Sequence, residues 1–159
     1  DTILDMQQLG GRLSLAETVE IWGTDWDPVY LAEAQAKWGD TEEWAESARR
    51  KARMTRADWE QAHSETVALE TALAEAMHSG VEPGSPEANA LARWHRKDLN
   101  RWFEVSTSKQ VVIARSYVAD ERYARYYDKR APGLAAWLKD VIDAGARSEG
   151  VEPATATWE

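Results

Sequence analysis

Helix punctuation stands at almost every break in this chain and constrains its fold more than any other feature. Thr55, with Asp58 three residues on, opens a segment whose apolar and small positions are Trp59, Ala62, Thr66, Leu69, Leu73 and Ala76. Steps of three and four lay these residues in one stripe on a helix, and Gly80 closes it. Ser14 with Glu17, and Asp40 with Glu43, read as capping boxes, in which two first-turn N–H groups find side-chain acceptors. Asp27-Pro28 and Ser85-Pro86 place a cap before proline, whose missing N–H is harmless at the first helical position.

The helix expected after Ser85 carries Ala88, Leu91, His95, Leu99 and Trp102 on one side and Trp94 on its flank. Thr107 with Gln110 reads as a further capping box before Val111, Ala114 and Val118. Asp120 opens a short helix over 121–129, and Pro132-Gly133 leads into a last one with Leu134, Leu138, Val141 and Ile142 inward. The apolar/polar alternation of strands is missing. The expected fold is therefore all-α, a bundle-like or globin-like packing of about seven or eight helices joined by short connections.

A chain of 159 residues suits one domain, and no apolar run approaches the ~20 residues of a membrane span. The expected organisation is a weakly structured lead-in over 1–13, a domain over 14–147 and a disordered tail over 148–159, where no periodic apolar face is left. The opening Asp1, in place of Met, suggests a processed or excised piece. Cysteine is absent, which removes disulfides, thiolate nucleophiles and Cys-ligated metals and agrees with cytoplasmic residence. The net charge is −9, so the chain has little electrostatic reason to seek a phosphate backbone. That charge is uneven: residues 1–48 hold 2 bases against 11 acids, whereas residues 93–130 hold 10 against 5.

Chemistry-bearing motifs are scarce. No Gly-rich phosphate loop, His-Glu-x-x-His or Gly-x-Ser-x-Gly occurs. None of His63, His78 and His95 lies three or four residues from another histidine, so no local metal clamp forms. Glu60/His63 and Glu75/His78 have the spacing of a di-iron motif but share one helix, whereas such a site needs facing helices. No nucleophile–base pair can be assembled from local spacing, and no enzyme, metal or cofactor is expected. Tryptophan is the outlier, at 9 residues against 1 Phe and 5 Tyr. Indoles keep a polar edge beside a large apolar face, which suits the walls of a site for flat, extended ligands.

Several stretches meet a known family. Trp38-Gly39-Asp40-Thr41 followed by Arg53-Met54-Thr55-Arg56-Ala57-Asp58-Trp59 resembles the front half of TipAS-type antibiotic-recognition domains. Tyr117-Val118-Ala119-Asp120-Glu121-Arg122-Tyr123 is similar to that family's Tyr-x-x-Asp-x-Arg-aromatic segment. Tyr127-Asp128 with Pro132-Gly133-Leu134-Ala135 is similar to its Asp-x-x-x-Pro-Gly-Leu-Ala turn. The order and spacing agree over about residues 13–147.

The resemblance implies a haem-free globin-like fold. It also implies non-covalent binding of bulky, peptide-like antibiotics of thiopeptide or albicidin type. The family serves as the effector-sensing half of MerR-type transcriptional activators, or as stand-alone sequestering resistance proteins. TipAS-type domains can capture thiopeptides through a cysteine, and a chain without cysteine cannot. DNA would be reached only through an attached MerR-type domain absent from this chain. The isolated domain is expected to be a monomer, and a full-length regulator a dimer.

On this reading the ligand lies among Trp22, Trp26, Tyr30, Trp38, Trp44, Trp94, His95, Trp102, Tyr117, Tyr123 and Tyr127. Residues 14–54 would form a mobile lid over core helices at 55–147. His95 would hydrogen-bond an amide of the ligand, although a satisfied core histidine is an equal reading. Trp59 is assigned to the core, and Trp158 to an exposed tail. Two rival classes remain: a helical interaction module docking a partner through its aromatic face, and a haem protein with His95 as axial ligand.

Overall fold

The computed structural model describes Ala36 and residues 39–159. The helix expected over 14–22, that over 28–38 apart from Ala36, and Trp22, Trp26, Tyr30 and Trp38 lie outside the described residues. Six helices follow: α1 (Glu42–Ala52), α2 (Arg56–His78), α3 (Pro86–Leu99), α4 (Thr107–Ala119), α5 (Glu121–Asp128) and α6 (Leu134–Ser148). They coincide with the last six expected from the caps, and the described residues hold no strand.

The caps show why these segments are helical. At α2 the capping box is reciprocal: the Asp58 N–H donates to Thr55 Oγ1 at 3.2 Å, and the Thr55 N–H to Asp58 Oδ2 at 2.9 Å. Ser85 accepts from the Ala88 N–H at 3.1 Å, with Pro86 opening α3. Two caps sit one residue from the expected place. Thr41, not Asp40, caps α1 through the Trp44 N–H. Ser106, not Thr107, caps α4 through the Lys109 N–H at 3.1 Å. Where two capping residues are adjacent, the one whose backbone is still extended takes the role, as at Ser106 (φ −77, ψ 171). The shift releases Gln110 from the cap and turns it into the interior.

The described chain divides into two compact units. One contains α1, α2 as far as Thr66, and residues 101–104. Helix α1 has no buried residue and carries ion pairs from Arg49 to Glu42 and Glu46, and a half-buried one from Arg50 to Glu46. Trp59 is the buried centre of this unit, as expected, with Met54 and Trp102 packed on it. Trp102 was expected on the α3 stripe, but α3 ends at Leu99. The Asn100 amide donates to the carbonyls of Arg96 and Val105 and accepts from the Val105 N–H at 2.9 Å, so its side chain replaces the next helical bonds.

The other unit contains the rest of α2 and α3 to α6. Its core is built from Leu69 and Leu73 of α2, Val111 and Ala114 of α4, and Leu134, Leu138 and Ile142 of α6. Gly145 lets α6 approach α3 closely, since a Cβ there would lie 3.1 Å from the Cβ of Ala92. Gly133, at φ +86, takes the left-handed turn before α6, and Asp128 caps that helix from outside by accepting the Ala135 N–H at 3.0 Å. Val118 is 49% exposed. The buried face of α4 runs through Gln110, Val111, Ala114 and Tyr117, one position round from it.

The expectation of a disordered tail fails on the structure. Arg115 donates to the carbonyls of Pro153 and Ala156, Ser106 to that of Glu159, and Ala156 joins the core. Lys109 lies over the Trp158 ring at 5.4 Å. Irregular backbone has no period to read, so its anchors are visible only in three dimensions.

Candidate functional site

The second unit has a buried polar centre between α3 and α4. His95 and Gln110 are 3% and 2% exposed. Gln110 Nε2 donates to the Ala92 carbonyl at 2.8 Å and lies 2.9 Å from His95 Nδ1. His95 Nε2 lies 3.2 Å from the Tyr117 hydroxyl. Gln110 Oε1 faces Arg96 Nη1 at 3.5 Å, and Arg96 forms a bidentate pair with Glu149 at 2.8 and 3.1 Å. Burial pushes His95 down to about 4, so the ring is neutral near pH 7.

An aromatic cluster continues from this centre. Tyr117 and Tyr127, both buried, have ring centroids 4.9 Å apart. Burial, first of all, raises both phenols and keeps them protonated. Tyr123 tilts against Tyr117 at 6.3 Å, and Tyr126 meets Tyr127 edge-on at 5.1 Å. These outer rings are exposed, 48% for Tyr123 and 43% for Tyr126. The buried carboxylate of Glu70, on α2, accepts from the Tyr126 hydroxyl at 2.7 Å and from Arg130 at 3.1 Å. Burial raises the Glu70 carboxyl against the pull of Tyr126 and Arg130. The result is an aromatic edge open to solvent, backed by hydroxyls and a carboxylate held in fixed directions.

The structure thus brings His95, Tyr117, Tyr123 and Tyr127 together. Trp102 belongs to the other unit, where it stacks on Trp59 at 5.5 Å with Lys51 over its ring at 5.3 Å. Trp94 is 39% exposed on α3, and Trp44 is half-buried on α1. The role expected of His95 changes. Both ring nitrogens are engaged within the protein, so the imidazole has no free position for a ligand amide or for haem iron. Glu70, Gln110 and Tyr126 were missed. A Gln at the third position after a capping residue reads as part of a cap, and a Glu inside an amphipathic helix reads as solvated. Among the described residues, no three His, Asp or Glu side chains converge to hold a metal ion, and no helix is long and apolar enough to cross a membrane.

Comparison with known proteins bears on this arrangement. The family model of the TipAS antibiotic-recognition domain matches residues 30–144, which include Tyr30, Trp38, Trp44 and the whole tyrosine cluster. The HTH-type transcriptional activators TipA of Streptomyces coelicolor and Streptomyces lividans are each 30% identical over 145 residues. The match covers 90% of this chain but 57% of theirs, so the chain spans little more than half the length of these relatives. A solved structure of TipAS, from a thiopeptide antibiotic multidrug resistance system of Streptomyces lividans and in complex with nosiheptide, is 30% identical. It superimposes with a TM-score of 0.79 over 88% of this chain and 99% of that one. The all-helical fold, the ordered motifs and these likenesses lead to one conclusion: the chain belongs to the TipAS antibiotic-recognition domain family.

Proposed function

We propose that this chain binds bulky, peptide-like antibiotics of the thiopeptide class without covalent attachment. The observation that carries the reading is its likeness to nosiheptide-bound TipAS over nearly all of both chains. The aromatic edge of Tyr123 and Tyr126, over the buried Tyr117–Tyr127 pair, supports it physically. Flat azole and amide surfaces stack on such rings, and fixed hydroxyls select their orientation. Residues without cysteine have no thiolate to offer, so affinity comes from stacking, burial and hydrogen bonds alone.

Trp44, Trp94 and Trp102, with the four aromatics outside the described residues, are proposed as further contacts. The consequence of binding is transcriptional induction where a MerR-type DNA-binding domain is attached, and sequestration where none is. Either role is cytoplasmic. Titration with nosiheptide, followed by tryptophan fluorescence, tests the reading. Saturable change at one equivalent is expected. A flat response, with concentration-dependent self- or partner association in place of it, would leave the helical interaction module as the better account.

A further inference from the structure

The hydrogen bonds around His95 have a direction that can be read without seeing a hydrogen. The Ala92 carbonyl can only accept and the Arg96 guanidinium can only donate, and they face opposite ends of the Gln110 amide. The amide orientation is therefore fixed from both sides: nitrogen toward Ala92, oxygen toward Arg96. The same nitrogen lies 2.9 Å from His95 Nδ1, so Nδ1 must accept. A neutral imidazole whose Nδ1 accepts carries its proton on Nε2. Nε2–H then donates to the Tyr117 hydroxyl oxygen 3.2 Å away.

Tyr117 and Tyr127, whose ring centroids are 4.9 Å apart, carry two hydroxyl protons. Nitrogen Nε2 cannot accept the second proton, because it is itself a donor. A bond from one hydroxyl to the other can use at most one of them, so at least one phenolic O–H remains to be donated elsewhere. The reverse tautomer would have let Tyr117 donate inward to the imidazole and would have left an acceptor facing outward.

We infer that Gln110 and His95 are positioning residues that make the Tyr117–Tyr127 pair a hydrogen-bond donor toward the ligand, so that the ligand group seated there is an acceptor, a carbonyl oxygen or an azole nitrogen. For its ligand this inference rests on the antibiotic-binding reading, but the relay itself does not. Neither positioning residue needs to touch the ligand.

Nitrogen NMR of histidine-labelled, ligand-free protein reads the relay directly. His95 is expected as the neutral Nε2–H tautomer, and an Nδ1–H tautomer overturns the inference whatever the protein binds. Nosiheptide titration reads the consequence in three variants whose folding is checked by circular dichroism. His95→Leu removes the donor to Tyr117, and Tyr117→Phe removes the hydroxyl while keeping the ring. Each is expected to weaken binding by about tenfold. His95→Gln can present an amide N–H where Nε2–H stood and is expected to recover affinity to within about threefold of the unaltered protein. Equal affinities for the unaltered protein, His95→Leu and Tyr117→Phe overturn the inference and leave antibiotic binding standing. No binding by the unaltered protein overturns the antibiotic reading and this ligand assignment together. If His95→Leu does not fold, Tyr117→Phe and the tautomer decide the matter.

Discussion

Helices α1 and α6, of 11 and 15 residues, are held by opposite means. Helix α1 has no buried residue; a threonine cap and the Glu42–Arg49, Glu46–Arg49 and Glu46–Arg50 pairs support it. Helix α6 has no side-chain cap of its own but buries Leu134, Ala135, Leu138, Val141, Ile142, Gly145 and Ala146. Exposed ion pairs contribute little, because water already solvates both partners, whereas each fully buried aliphatic side chain contributes roughly 1.5–3 kcal/mol. The contrast teaches that a helix can be plainly written in local sequence and still owe its stability to something else. Local pairs specify where α1 lies along the chain. Burial specifies what α6 packs against and how firmly.

Four measurements can break or sharpen that contrast. The largest effect is expected for Leu138→Ala, which empties a fully buried site. It should lower unfolding free energy in urea by about 2–5 kcal/mol. A loss under about 1 kcal/mol would mean that the α6 core is not the main source of stability.

Acidification comes next. The unfolded chain takes up the His95 proton near pH 6.5, but the folded chain only near pH 4. Stability is therefore fully present above pH 6.5 and falls as pH drops toward 4, by about 3 kcal/mol from this one residue. Burial raises the Glu70 carboxyl, which acts in the opposite sense, so the signal is the difference between the unaltered protein and His95→Gln. Parallel pH curves for the two would refute a neutral buried imidazole.

Thr55→Ala deletes one half of the reciprocal capping box at α2 and should cost about 1 kcal/mol by the same urea assay. The smallest effect is expected for Glu46→Gln. Its carboxyl is held below the usual range by hydrogen bonds from Arg49 and Arg50, but about a third of the side chain stays open to water. The urea midpoint should not move, while amide exchange of α1 should quicken and lose part of its dependence on salt, since the Arg49–Glu42 pair remains. A shifted midpoint would show that α1 matters to global unfolding after all.

The candidate site was legible in part. Tyr117, Tyr123 and Tyr127 could be singled out because the family motif and the helix register point to them. His95 could be placed on an inner face, but not given its role, since nothing near it in sequence says what fills its two ring nitrogens. Gln110 was assigned to a cap because Ser106 and Thr107 are equivalent in pattern, and a shift of one residue decides between a cap and the interior. Glu70 was passed over because its partners Tyr126 and Arg130 lie 56 and 60 residues away.

By itself the amino-acid order determined the six described helices, their ends to within a residue or two except at the close of α3, and the want of cysteine chemistry, because caps, prolines and three-to-four spacing act within a turn or two of backbone. Only the tertiary structure decided that Trp102 leaves its expected helix, that the last residues pack down, and that Gln110 orients His95 and through it Tyr117. Those outcomes depend on which distant groups meet in a dry interior, where an unmatched donor or acceptor is costly and each polar atom must find a partner.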